Sequence, residues 1–125
     1  MILIDTHVLL WLLFSPESLS EKAKSALEDN QCCVSMASFW EMAVKISIQK
    51  LTLPKSLDEV AAACKDMGII IDDITLDDCL AVQDLPFIHR DPFDRVIIAH
   101  ALTNNLALLT HDGNIQKYSM IETIW

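Results

Sequence analysis

Residues 1–14 read MILIDTHVLLWLLF, and the placing of Asp5 within them decides the fold. ILI (2–4) is an unbroken run of strand-forming residues, HVLLWLLF (7–14) is an apolar helix, and the acid stands where one gives way to the other. A strand this apolar is buried on both faces, which is the pattern of a parallel sheet covered by helices. A carboxylate at its end needs a partner, because an unpaired buried charge is expensive.

Working outward, the same alternation recurs. SPESLSEKAKSALEDN (15–30) is a loop and an amphipathic surface helix, and CCVS (32–35) is a second strand entering the helix MASFWEMAVKISIQK (36–50). LPKS (53–56) breaks the chain before LDEVAAACKDM (57–67), with Gly68 where a C-cap glycine belongs. III (69–71) is a third strand, LDDCLAVQDL (76–85) and DPFDRVIIAHALTNN (91–105) are helices, LALLT (106–110) is a fourth strand, and MIETIW (120–125) offers a fifth. The expectation is an α/β sandwich: a short parallel sheet of four to five strands with helices on both faces. In such sheets ligands gather beyond the carboxyl ends of the strands, and Asp5 is there.

Composition narrows the function classes. The chain has 125 residues, 52% of them apolar, and reads as one domain spanning 1–125 with a full core. Its apolar opening is too short to cross a bilayer and lacks a preceding basic stretch, so a cytoplasmic protein without membrane attachment is expected. Cys32, Cys33, Cys64 and Cys79 match neither zinc spacing nor a disulfide framework and read as reduced thiols, most of them in the core. The net charge of −9 argues against a nucleic-acid partner on electrostatic grounds.

Four acids fall just past a strand or near a helix start. Asp112, in LLTHDG, also suits a turn. Glu41 lies at the edge of the apolar arc of its helix, four residues before Lys45, with which it can pair on the surface. Asp91 and Pro92 form a standard helix start, with Asp91 as N-cap. Asp94, three residues on, sits among Ile97, Ile98 and Ala101 rather than on a polar stripe. Converging along one sheet edge, Asp5, Glu41, Asp94 and Asp112 would repel one another unless a cation neutralised them. Oxygen-only ligands select a hard divalent ion, Mg²⁺ or Mn²⁺, and the chemistry without a Ser or Cys nucleophile is attack of activated water on a phosphodiester.

LIDTHVLLW, SFWEMAVK, HRDPFDRVIIAHAL and LLTHDGNIQKY, in this order across nearly the whole chain, resemble PIN-domain ribonucleases of the VapC toxin type. The resemblance implies a metal-dependent RNA endonuclease, the toxin of a toxin–antitoxin pair, with Asp5, Glu41, Asp94 and Asp112 as the acidic quartet. It makes Thr6 and Thr110 supports of the first and last acids, and Asp91 a cap or supporting group. His7 stands where many relatives carry Asn or Ser; it either bonds an acid or phosphate or merely opens the buried helix. The implied partners are RNA, a cognate antitoxin whose basic tail fills an acidic groove, and a second copy in a homodimer. Lys45, Lys50, Lys55, Arg90 and Arg95 are the bases near the site that RNA could meet. The run DDITLDD (72–78) reads as solvated loop and helix start without a site role.

Other readings are a catalytically inactive PIN-fold binding partner and a Mg²⁺-binding phospho-receiver. The latter wants paired acids after the first strand and a lysine after the last core strand, where this chain has DTH and THDG.

Overall fold

The computed structural model describes residues 1–125. Five strands, β1 (Ile2–Ile4), β2 (Cys32–Ser35), β3 (Ile70–Asp72), β4 (Ala107–Leu109) and β5 (Thr123–Ile124), form one sheet in the order β3-β2-β1-β4-β5. All four pairings are parallel, with Ile4 of β1 opposite Val34 on one side and Leu109 on the other. Six α-helices connect them: α1 (Thr6–Phe14), α2 (Glu21–Asp29), α3 (Met36–Ser47), α4 (Leu57–Asp66), α5 (Leu76–Val82) and α6 (Pro92–Thr103).

Side chains alternate across β1, so Ile2 and Ile4 face one layer and Leu3 the other. Ile2, Ile4 and Val34 pack with Val8 and Leu9 of α1, Ala23 of α2, and Val60 and Cys64 of α4. Leu3, Cys33 and Leu108 pack with Ile97, Ile98 and Ala101 of α6, together with Leu85, Ile115 and Tyr118. Each fully buried aliphatic side chain contributes about 1.5–3 kcal/mol. This is the expected sandwich, with the fifth strand present.

The element ends differ slightly from expectation, for local reasons. α1 begins one residue earlier, at Thr6, because the Asp5 side chain caps it. β3 begins one residue late. Gly68 adopts φ +74°, and the Ile69 N–H is spent closing the end of α4 on the Cys64 carbonyl (2.8 Å), so pairing starts at Ile70. α3 stops at Ser47, before Gln49 at φ +61°. Cys32, Cys33 and Cys64 are buried free thiols, whereas Cys79 is exposed. No helix is long and apolar enough to cross a membrane.

From β1 the chain steps outward through β2 to β3, then returns to place β4 on the opposite side of β1. The crevice at the carboxyl ends of β1 and β4 is therefore the topological switch point, where open α/β sheets hold ligands.

Candidate metal centre

Asp5 follows β1 and is 3% exposed. Its Oδ1 accepts the Val8 N–H (2.8 Å), capping α1, and its Oδ2 accepts the Thr110 hydroxyl. Thr110 stands one residue past β4, and the Asp5 N–H donates to the Leu109 carbonyl (3.1 Å). The two strand ends are thus tied together by the acid itself. Burial pushes the Asp5 carboxyl above its ordinary pKa, opposed by Thr110, Val8 and His7 and reinforced by Asp112.

Glu41 is brought to the same edge by α3. It is buried rather than on the surface, at 3% exposure. Thr6 donates to its Oε1 (2.7 Å) and shares a hydrogen bond with Ser38 (2.9 Å), while Lys45 donates to Oε2 at 2.5 Å. Burial would lower the Lys45 pKa, but the bond to Glu41 outweighs it and the ammonium is held above its ordinary value. The i,i+4 pair anticipated on the surface is therefore half-buried, and Lys45 is committed to the acid rather than free for RNA.

Asp91 caps α6, accepting from Phe93 N–H (2.8 Å) and Asp94 N–H (3.2 Å). Asp94, in the first turn, faces the acids. Burial pushes its carboxyl up to about 7, and Asp91, Glu41 and Asp112 add to the rise while His89 opposes it. Asp112 is both a turn residue and a member of the cluster. Its Oδ1 accepts from Asn114 N–H (2.8 Å) and Ile115 N–H (3.3 Å), and its Oδ2 meets His89 Nε2 at 2.9 Å. Burial would raise the Asp112 pKa, yet these bonds outweigh it and hold it below the ordinary value. Asp94 and Asp112, with His89, are thus close enough to share one ion, while Asp5 lies within electrostatic reach of Asp112 and Glu41 within reach of Asp94.

His89 escaped the sequence analysis. Its Nε2 lies 2.9 Å from Asp112 Oδ2 and 3.2 Å from Asp94 Oδ2, with the three groups close enough to share an ion. Its Nδ1, however, accepts the Asp91 N–H (3.1 Å). A ring nitrogen accepting from an amide carries no proton, so the proton of the neutral ring is on Nε2. The Nε2–H is therefore hydrogen-bonded to Asp112, with the Asp94 oxygen 3.2 Å away, and His89 is not a ligand in this arrangement. The loop holding it is tightly fixed: Tyr118 Oη accepts from His89 N–H (2.9 Å) and Ile88 N–H (3.2 Å) and donates to the Pro86 carbonyl (2.7 Å). Only the neighbourhood of HRDPFDR to the acids pointed to it.

The remaining expected residues separate clearly. Arg95 donates to the carbonyls of Val82 (3.1 Å), Pro86 (3.2 Å) and His89 (3.2 Å), so its guanidinium secures the loop and is not a free RNA contact. Lys50, Lys55 and Arg90 are exposed. His7 is exposed too and does not begin a buried helix face; its ring lies 6.1 Å from that of Trp11.

The run DDITLDD requires correction, because it is not solvated throughout. Asp78 is fully buried, and Asp72 accepts from His100 Nε2 (2.8 Å). His100 Nδ1 meets Ser35 Oγ (3.0 Å), while Thr103 donates to Asp78. Ser, His and Asp here resemble a hydrolytic triad in composition alone. Ser35 is fully buried and caps α3 through Ala37 N–H (3.1 Å), so the cluster clasps β2, β3 and α6 together.

The largest hollow, about 600 Å³, lies between α3 and α4 around Ile46, Leu51 and Leu57 and contains none of the acids. Asp5 and Asp112, but neither Glu41 nor Asp94, open onto a recess of about 270 Å³ lined also by His7, Trp11 and His111.

Residues 2–120 match the PIN-domain family model. The chain belongs to the PIN-domain family. Among solved structures, this PIN domain is similar to VapBC2 from Rickettsia felis bound to a DNA fragment from its promoter, with TM-score 0.68 and 14% identity over 98% of this chain and 97% of that one. A toxin–antitoxin complex from Klebsiella pneumoniae gives TM-score 0.63 and 20% identity over 97% and 95%. DNA-bound VapBC from Salmonella typhimurium gives 0.64 and 16% over 98% and 97%. At these identities the likeness is one of fold. No curated protein matches by sequence.

PIN domains generally work with divalent metal ions, and the residues present fit one. The donors are carboxylate oxygens, which suit Mg²⁺ or Mn²⁺. Asp94 in particular is held among like charges, with His89 Nε2, itself hydrogen-bonded to Asp112, 3.2 Å from it, an arrangement that a cation would relieve.

Proposed function

We propose that this PIN domain is a metal-dependent RNA endonuclease and the toxin of a toxin–antitoxin pair. The observation that supports the reading is a run of acidic neighbours at the switch-point crevice, Asp5 within reach of Asp112, and Asp94 within reach of Asp112, Glu41 and Asp91, with Asp94 pushed up to about 7 by burial and by those acids. An isolated structural acid is not placed among three others.

Asp5, Glu41, Asp94 and Asp112 would hold the divalent ion. When bound, it stabilises charge on the phosphate and brings a water within reach of deprotonation near neutral pH. The chain's own part is to keep the oxygens in place. Thr110 and the Val8 amide fix Asp5, Thr6 and Lys45 fix Glu41, and His89 with the Asn114 amide fixes Asp112. Carboxylates held in advance need little reorganisation when charge develops on the substrate. Thr6 and Thr110 are positioning residues in this account, and Asp91 serves by starting the helix that carries Asp94.

An antitoxin partner is supported by the neighbours of the same fold, which are toxin–antitoxin complexes. A basic antitoxin segment suits a chain of net charge −9 better than an extended nucleic-acid backbone does. A homodimer and a cytoplasmic setting belong to the same reading.

End-group analysis of the RNA products tests the chemistry. Hydrolysis by activated water leaves 5′-phosphate and 3′-hydroxyl ends. Products with 2′,3′-cyclic phosphate ends would show that the RNA's own 2′-hydroxyl attacks and would overturn the mechanism.

A further inference from the structure

Beside the acids the surface carries rings that the metal site does not use. Trp11 lies 5.7 Å from His111 and 6.1 Å from His7, and Trp125 closes the group at 5.6 Å from Trp11 and 4.9 Å from His111. Trp11 and Trp125 are half-buried and packed on the core of the α1 layer, whereas His7 and His111 are exposed. None of these rings is held by a hydrogen bond to a protein group among the side-chain bonds of the structure, in contrast to His89 and His100. A half-buried tryptophan and two surface histidines, Trp11, His7 and His111, line the recess that Asp5 and Asp112 border.

We propose that this recess is a nucleobase subsite, where one base of single-stranded RNA flanking the scissile phosphate stacks on one ring of the Trp11–His111 pair and meets the other, tilted 59° away, at its edge. The assignment rests on the nuclease reading above. A hollow of about 270 Å³ falls below the roughly 300–1,000 Å³ of drug-sized ligand sites and suits a single planar ring system. Because Asp5 and Asp112 belong to both recess and metal centre, a phosphate at the acids delivers its neighbouring base to these rings.

Electrostatics favours the same occupant. A chain of charge −9 whose nearby Lys45 and Arg95 are already bonded has little with which to grip a phosphate backbone. Stacking on aromatic faces is independent of charge and tolerant of sequence, and it supplies affinity where counter-ion release does not. The rigid seating of Trp11 and Trp125 means that little freedom is lost when a base arrives.

The test is fluorescence anisotropy of labelled oligo(U) 12-mers in Ca²⁺, comparing intact RNA with an abasic oligomer of equal length, for wild type, His111→Ala, Trp11→Leu and Trp11→Phe. Wild type should bind intact RNA about 5- to 150-fold more tightly than the abasic strand, the range expected for one stacked base. His111→Ala and Trp11→Leu should lose most of that preference without changing abasic binding. Trp11→Phe keeps a ring and should retain the preference, which separates loss of stacking from loss of fold. Equal binding of intact and abasic strands by wild type, or a preference untouched by either truncation, would overturn the subsite even if the protein cuts RNA. Binding of a hexa-arginine peptide that His111→Ala abolishes, with no base preference, would assign the recess to a protein partner and overturn it equally. Base-dependent binding by a wild type that cuts no RNA in Mn²⁺ would strike the nuclease reading and leave the subsite standing.

Discussion

Replacing Asp94 by Asn should make the metal-free protein more stable while destroying its function. Asn keeps the shape and an oxygen beside His89 Nε2, now 3.2 Å from the carboxylate, but it removes a charge that burial, Asp91, Glu41 and Asp112 all oppose. Between the ordinary value of 3.8 and about 7, the folded protein disfavours the ionised carboxyl, an interval equivalent to roughly 4 kcal/mol. Asp94 keeps some contact with solvent, so screening reduces this, and about 2 kcal/mol is the expected gain. The sign follows from linkage. A carboxyl whose pKa is raised by folding carries its penalty in full above about 7, and the penalty fades as pH falls towards 3.8. At roughly 2.1 cal/mol/K of unfolding entropy per residue, a chain of 125 residues gains about 4 °C per kcal/mol. In EDTA at pH 8, Asp94→Asn should therefore melt about 8 °C above wild type, shrinking to about a quarter of that by pH 4.5. Mn²⁺ at about 100 times its Kd adds about 2.7 kcal/mol to wild type alone and should reverse the order. Calorimetry at the two pH values decides it. A variant no more stable than wild type at pH 8, or equally favoured at pH 4.5, would refute the reasoning that Asp94 is held among unneutralised acids.

The supports of the site make further predictions. Thr110→Val removes the hydroxyl donor to buried Asp5 and should cost about 1–3 kcal/mol in urea unfolding at pH 7, with an unchanged midpoint counting against a supporting role. Tyr118→Phe strands the amides of Ile88 and His89, and should raise hydrogen exchange in residues 86–91 well before the sheet is affected. The His89 ring should show, by ¹⁵N NMR in EDTA, a protonated Nε2 and a bare Nδ1; the opposite tautomer would reopen its role as a metal ligand.

Much of the sheet was legible because its strands are unbroken apolar runs, which have few alternatives once flanked by helices. ILI, CCVS and LALLT needed only to be aligned for Asp5, Thr110 and Asp112 to fall at one edge. Asp91 was legible because Asp-Pro is a local signal for a helix start. What depended on distant partners was not. Glu41 reads as an edge residue on its own helix, and the Thr6 hydroxyl that meets its buried carboxylate comes from a distant part of the chain. Asp78 reads as part of an acidic run, and its burial rests on Thr103 and on His100 of α6. His89 lies in a loop without periodicity, held by Tyr118 some thirty residues on, a separation that no local pattern spans. The bases nearest the acids carried the opposite error. Lys45 and Arg95 are positive in sequence but are consumed by Glu41 and by main-chain carbonyls.

The acids at the switch-point crevice are expected to run metal-dependent cleavage of RNA. Incubating a labelled pool of structured RNA with purified wild type and Asp94→Asn, each in Mn²⁺ or in EDTA, tests it most directly. Cutting by wild type in Mn²⁺ alone is the predicted result. Cutting that survives EDTA, or that Asp94→Asn performs as well as wild type, would contradict the account.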